Sequence, residues 1–523
     1  MKNLFRNIGI MSLALLAVNV ASQENTTAPI MNAPSTTPGN VRLAGMRLEW
    51  TYFIGSSQDD NLGWLRAPVL DRNGMLWFTG TTMSSDFPTT PDALDRVYRG
   101  GSDQWGKEDV YLLKFNTRQP GIAYSTLLGG AKGPEHASEL IVNENGTITL
   151  VGNTGSSDYP ATSDALTKQF QGPDFRHADG FLTILGDGGR MMKYSTFIGG
   201  SKNDWVDKVF IDASGEMTLF GITESPGFPS TDTVRPKEIT EASALFVLRL
   251  DAKGQQILSS RVLANTWGTD VQRLDSGDFL IVGSTSNPAF QTTPGAFSSA
   301  YRGGSDTVVG GDLFIMRLSA DLKTIVFATL FGGSGDELWP KIAAVADGDF
   351  FIVGQTTSKD LPVTANAVEK TMESKKALFI ARFSEDSRQL KYCSYLGGKG
   401  TGKSSHAGPL VYDGRSRIYL TGTTTSSNYP VTPDAMQTKH RGKYDAILFA
   451  FNVSDNSLAY GSYLGGSQDD WYPFLAFDTG GSLYMIGSTK SNDFPSLENP
   501  PSQRKKEDIY ISKFTISSDS AQK

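Results

Sequence analysis

A single cysteine, Cys393, is the whole thiol complement of this 523-residue chain. One thiol excludes intrachain disulfides, so stability has to come from a buried core or from bound ions. Histidine is almost as scarce, at four residues: His136, His177, His406 and His440. They form no HxxxH or HxH element, so a histidine metal centre lacks its usual spacing and no metal site is expected. Positive charge is also in deficit. Lys and Arg number 48 against 55 Asp and Glu, a formal net charge of −7. No basic face is visible, which argues against nucleic acid as a partner. No stretch is long and apolar enough to span a membrane. Helical periodicity is missing, as are the GxSxG elbow, the P-loop, the dinucleotide fingerprint and the zincin helix.

What the chain has in quantity is glycine, at 55 residues, the mark of many tight turns. The N-terminus, MKNLFRNIGIMSLALLAVNVASQ, sets Lys2 and Arg6 before an apolar run that ends in small residues. This pattern predicts a secretory signal over residues 1–22, cleaved near Ala21 or Ser22. The expected location is secreted, periplasmic or at the cell surface. Residues 23–45 are polar and rich in Pro and Thr, and read as a flexible linker. Residues 517–523 read as a polar tail.

Between them one segment recurs seven times. It appears as GTTMSSDFPTTPDAL (80–94), GNTGSSDYPATSDAL (152–166), GITESPGFPSTDTV (221–234) and GSTSNPAFQTTPGAF (283–297). It returns as GQTTSKDLPVTANAV (354–367), GTTTSSNYPVTPDAM (422–436) and GSTKSNDFPSLENP (487–500). Two short apolar strands joined by a turn precede each copy, as in APVLDRNGMLWFTG. A third strand follows, such as DVYLLKF or DLFIMRL, then a fourth, such as IAYSTLLGG or QLKYCSYLGG. Four antiparallel strands per repeat, seven times over, predict an all-β, seven-bladed β-propeller across residues 46–516. RLEWTYFI (47–54) matches a fourth strand with no first three before it, and the last repeat lacks its fourth. The N-terminal strand should therefore complete the last blade and close the ring. A monomer is expected.

The YSTxLGG and DFPTTP elements resemble the SBBP family of seven-bladed β-propeller repeats, found in exported bacterial proteins. The resemblance covers residues 46–516. It implies the fold and no single activity.

Aligning the repeats at the start of the innermost strand, counted back from the hairpin turn, gives Trp64, His136, Trp205, Trp267, Trp339, His406 and Trp471. Two readings fit this ring. The aromatics could wedge between blades, burying a large apolar surface. They could equally line a funnel and stack on sugars or grip a peptide. His177 and His440 end long loops in the same two blades as His136 and His406, on the same expected face. Acidic residues cluster just before the ring at Asp59, Asp60, Asp204, Asp336, Glu337, Asp469 and Asp470. They are expected to cap turns, with Ca2+ the one ion such a cluster suggests; no other cofactor is expected. Asp109, Asp179, Asp312, Asp445 and Asp508 begin the third strand in five repeats, where Ala244 and Ala377 stand in the others. Recurrence in most blades fits a loop-pinning hydrogen bond.

Three functions follow. The first is an exported binding module whose funnel face holds a carbohydrate or a protein. The second is a polysaccharide lyase on the same face. There His136 or His406 would be the base, Arg66 or Lys341 the neutraliser of a uronate carboxyl, and Tyr472 the acid. The third is a structural scaffold at the cell surface.

Overall fold

The computed structural model describes residues 46–63, 67–100, 106–173, 177–231, 243–263, 267–304, 310–397, 405–497 and 506–516. The signal, linker and tail segments expected at 1–22, 23–45 and 517–523 lie outside them. Seven antiparallel sheets stand in a ring, a seven-bladed β-propeller. Blade two shows the plan: Glu135–Val142 innermost, then Ile148–Thr154, Asp179–Gly186 and Met191–Ile198 at the rim. Blade one differs, because its inner strand is split into Asp60–Asn61 and Val69–Leu70. Blade seven is closed by the N-terminal strand. Met46–Ile54 pairs along its whole length with Asp508–Ile516. Among the described residues, no helix is long and apolar enough to cross a membrane.

Each blade is a sheet buried on both faces, so its middle strands read as continuous apolar runs rather than alternating ones. In ALFIARF (Ala377–Phe383) every residue is buried. The first hairpins turn on glycines in the left-handed region, such as Gly74 at φ 77° and Gly146 at φ 75°, where a Cβ would be strained.

The long DFPTTP loops do not stand free above the ring. Their aromatic residue folds back on the third strand: Phe87 stacks on Tyr111 at 4.7 Å between ring centroids, Tyr159 on Phe181 at 4.8 Å and Phe228 on Phe246 at 4.4 Å. The following Thr then pairs with the rim strand. Thr90 N–H donates to the Ser125 carbonyl, and the bond recurs from Thr162 to Ser195, Thr231 to Ser260, Thr293 to Ala328, Thr364 to Cys393 and Thr432 to Gly461. The loop thus covers the outer edge of its blade, where unpaired backbone would invite another chain. Much of the motif's recurrence is explained by this edge protection.

Candidate functional site

The inner strands begin on one face of the ring, where second strands end and third strands start. That shared rim is the mouth. The register of the first two strands shows which residues occupy equivalent places there. Glu135 pairs with Thr154 and His136 with Asn153; Asp204 pairs with Thr223 and Trp205 with Ile222. Asp470 pairs with Thr489 and Trp471 with Ser488; Ser405 pairs with Thr424 and His406 with Thr423. Trp267 pairs with Ser284 in the same place. His136, Trp205, Trp267, His406 and Trp471 therefore share one slot, as the ring alignment expected.

Two members of that alignment do not. In blade five Glu337 pairs with Thr356 and Leu338 with Gln355, so Leu338 holds the slot and Trp339 comes one residue later. In blade one Asp60 pairs with Thr82 and Asn61 with Thr81, which puts Asn61 in the slot. Trp64 lies three residues further on and, with Arg66, outside the described residues. In blade one the cause is the extra residues that split its inner strand. In blade five Trp339 stands nine residues before its hairpin glycine Gly348, whereas Trp205, Trp267 and Trp471 stand ten before Gly215, Gly277 and Gly481. A one-residue bulge at the second-strand glycine is common to the inner strands of blades two to seven, so it does not itself shift the count from the turn between them. For Trp267 the structure describes the backbone alone.

The bulge also aims side chains. Trp339 and Tyr472 occupy equivalent bulge positions, at φ 53° and φ 44°. Aromatic residues seldom adopt the left-handed region, and such strain collects at binding and catalytic sites. Tyr472 is 42% exposed, one of few large side chains that are. It stacks on Trp471 with centroids 5.7 Å apart and planes 24° apart. Trp471 lies in turn 3.9 Å from the ring of Tyr444 in blade six. The Tyr472 amide donates to Thr423 Oγ1, also in blade six, at 3.1 Å. Three aromatic rings thus form a platform across one blade junction at the mouth. Desolvation pushes the Tyr472 phenol up to about 12. Its 42% exposure leaves the ring within reach of a ligand. The ring alignment missed Tyr444, because it sits before the third strand and meets Trp471 only through the fold.

The histidines share the mouth but keep separate company. Burial lowers the basicity of His136, opposed by the Glu108 carboxylate at the same junction. Burial, then the charge of Lys376, lowers His406 to about 4. Both are half-buried and uncharged at neutral pH. His440 places Nε2 3.2 Å from the Thr424 carbonyl and its ring edge-on to Tyr463 at 6.0 Å, a loop-holding role. His177 is half-buried at the start of blade two's third strand. Lys341 follows the Trp339 bulge and pairs with Val353, further down the inner strand. Among the described residues no group of three or more His, Cys, Asp or Glu is placed to hold a metal.

The acidic residues before the ring are not all loop tips. Asp60, Glu135, Asp204, Glu337 and Asp470 are fully buried at the first inner-strand position. Donors surround them. Asp204 Oδ2 accepts from Gly200 N–H and Ser225 Oγ, both at 2.7 Å, and Asp470 Oδ2 from Gly466 N–H at 2.7 Å and Ser491 Oγ at 2.9 Å. Thr154 and Thr356 donate to Glu135 and Glu337, each at 2.7 Å. In the blades that carry an inner-strand acid, the Thr or Ser of this motif thus serves it. The third-strand aspartates do pin loops: Asp109 accepts from Arg99 and Gly100 N–H, Asp179 from Gln171, Asp312 from Arg302, and Asp445 from Arg441 and Gly442. Down the channel, Lys208 Nζ lies 3.2 Å from Glu139 Oε1 and 3.9 Å from Asp270 Oδ1, linking the inner strands of three blades.

No family model matches the chain, and no curated protein matches it. Among solved structures, the polysaccharide lyase Uly1 is similar at 11% identity and a TM-score of 0.46, over 90% of this chain and 100% of that one. A PL25 ulvan lyase bound to -[GlcA(1-4)Rha3S]- is similar at 10% identity and a TM-score of 0.44, over 85% and 94%. A protein of unknown function from Dyadobacter fermentans DSM 18053 is similar at 10% identity and a TM-score of 0.40, over 90% and 100%. Likeness this distant carries nothing about activity.

Proposed function

We propose that this chain is an exported β-propeller that binds carbohydrate at the mouth, on the platform of Tyr444, Trp471 and Tyr472. The carrying observation is Tyr472, exposed and held in a left-handed bulge against Trp471. A flat aromatic face offers the apolar C–H side of a sugar a surface to lie on, while the polar rim meets its hydroxyls. Backbone strain at an exposed aromatic serves presentation, since burial would not need it.

The test uses residues 23–523 and a panel of neutral and uronate-containing polysaccharides. Tryptophan fluorescence reads binding at Trp471, and near-ultraviolet absorbance reads new unsaturated uronate. The expected result is a saturable fluorescence shift without absorbance growth. Tyr472→Ala is expected to weaken binding roughly tenfold or more, as loss of an anchoring aromatic does. Absorbance growth that His136→Ala or His406→Ala abolishes would replace this reading with the lyase. Silence in both channels would leave a protein partner or a scaffold.

A further inference from the structure

At five of the seven blade junctions two carboxyl groups face each other, both buried except where the ring closes, where Asp508 is half-buried. Asp109 of blade one meets Glu135 of blade two, Asp179 meets Asp204, Asp312 meets Glu337, and Asp445 meets Asp470; Asp508 and Asp60 occupy the same two positions where the ring closes. The first glycine of each LGG motif shows how close they come. A Cβ on Gly129 would sit 2.8 Å from Asp109 Oδ1 and 2.9 Å from Glu135 Oε2. On Gly199 it would sit 2.8 Å from Asp179 Oδ1 and 2.9 Å from Asp204 Oδ2, and on Gly332 2.5 Å from Asp312 Oδ1 and 2.3 Å from Glu337 Oε2. Only a residue without a side chain fits between the two acids.

In the other two repeats the sequence lacks both acids. Where Ala377 replaces the third-strand aspartate, the facing residue is Ser405, whose hydroxyl lies 3.0 Å from Thr424 Oγ1. Where Ala244 replaces it, Thr266 aligns in the sequence with the inner-strand acids, and Ala264 aligns with the first glycine. Aligned this way, the sequence carries both acids or neither at every repeat boundary. Two acids that only pinned their own loops would have no reason to be lost together.

Within the pairs, buried oxygens lack a hydrogen-bond partner among the described residues: Glu135 Oε2, Asp179 Oδ1, Asp204 Oδ1 and Asp312 Oδ1. The contacts shown for the other oxygens are backbone N–H and hydroxyl donors and, at Asp445, the Gln437 side-chain amide. Ca2+ takes six to eight oxygen ligands, carbonyls among them, and a donor-lined pair suits it poorly. A proton between two carboxyls fits, because each junction then buries one negative charge instead of two.

We propose that the five junctions each bind one proton, shared between the two carboxyls, and that these shared protons clasp blade to blade. The nearby charged groups do not replace the proton. Arg99 directs its guanidinium to Asp95, and Arg302 directs its own to Asp360. Glu224 adds negative charge beside Asp204, and Asp360 does so beside Asp312. Tyr98 and Tyr159 face the first pair, Tyr111 faces Asp60, and Tyr301 faces Asp312 and Glu337, all uncharged at neutral pH. At the sixth junction His440 and Arg441 flank Asp445, while Tyr463 and Tyr510 face the pair. Burial raises Asp109, Asp204 and Asp312 to about 6, and Asp60, Asp179, Glu337 and Asp470 to about 7. A carboxyl raised on folding holds more protons in the folded state. The stability it contributes is complete below the ordinary carboxylate range and is lost as pH climbs through 6 to 7.

The test is the melting temperature of the full chain in EDTA, from about pH 5 to about pH 8. A steady fall is expected. Asp179→Asn mimics the shared state, since its carbonyl can keep the Gln171 N–H while its amide donates to Asp204. It should leave the acid end unchanged and recover about one fifth of the fall, one junction's share of five. Should that variant not fold, Glu337→Gln probes another junction with the same expectation. A flat melting profile, a variant curve parallel to the parent's, or full recovery at high pH on adding Ca2+ alone would overturn the proposal.

Discussion

A chain that begins at Gly55, without the strand Met46–Ile54, is expected to be insoluble or to lose cooperative unfolding. Met46, Leu48, Phe53 and Ile54 are all buried in that strand. At about 1.5–3 kcal/mol for each fully buried apolar side chain, they contribute on the order of 6–12 kcal/mol. A whole domain is stable by only about 5–15 kcal/mol. The strand also closes the ladder against Asp508–Ile516 from end to end, so its loss bares a long apolar edge ready to pair with another chain. The measurement is thermal unfolding beside sedimentation. A soluble truncated chain melting cooperatively at the parent's temperature would show that the ring does not need this closure. Adding a synthetic peptide of residues 46–54 should restore solubility in part.

Arg382→Met is expected to cost about 2–4 kcal/mol, below the usual upper range for one half of a buried ion pair. Arg382 is 6% exposed and sits in the third strand of blade five. Its Nε lies 2.8 Å from Asp349 Oδ2, and Asp349 is itself 2% exposed. Its other nitrogens reach Asp347, the Val453 carbonyl and Asn456 Oδ1, the last two in blade six. One guanidinium therefore ties two blades together. Removing it leaves Asp349 buried with Lys391, whose Nζ is 2.7 Å away and limits the loss. Arg382→Lys keeps the charge without the planar fork and should recover only part of the stability. Urea unfolding checks both variants. A change under about 1 kcal/mol for Arg382→Met would mean that Lys391 alone satisfies Asp349.

The platform at the mouth was half legible in the sequence. Trp471 and Tyr472 are adjacent, and Trp471 stood out because the slot recurs. Tyr444 gave no such signal. It is 27 residues before Trp471 and in another blade, and only the packing of neighbouring blades brings the rings to 3.9 Å. Trp64 and Trp339 show the opposite error. Trp64 has the right spacing from the turn, but extra residues split blade one's inner strand and put Asn61 in the slot. Trp339 is one residue nearer its turn than the other tryptophans, and Leu338 holds the slot.

What the sequence determined by itself was the architecture. Seven copies of one motif, four strand-like runs in each and a lone fourth strand at the N-terminus specify a closed ring, because strand period and turn chemistry are local properties of the chain. The tertiary structure decided which acids meet. Asp60 and Asp508 are separated by nearly the whole domain, and Asp179 and Asp204 belong to different sheets. Their pairing depends on the direction each side chain takes from its blade, and spacing along the chain does not carry that direction. Whether an acid is solvated at a turn or buried against another acid follows from that packing alone, and with it the proton each pair is proposed to hold.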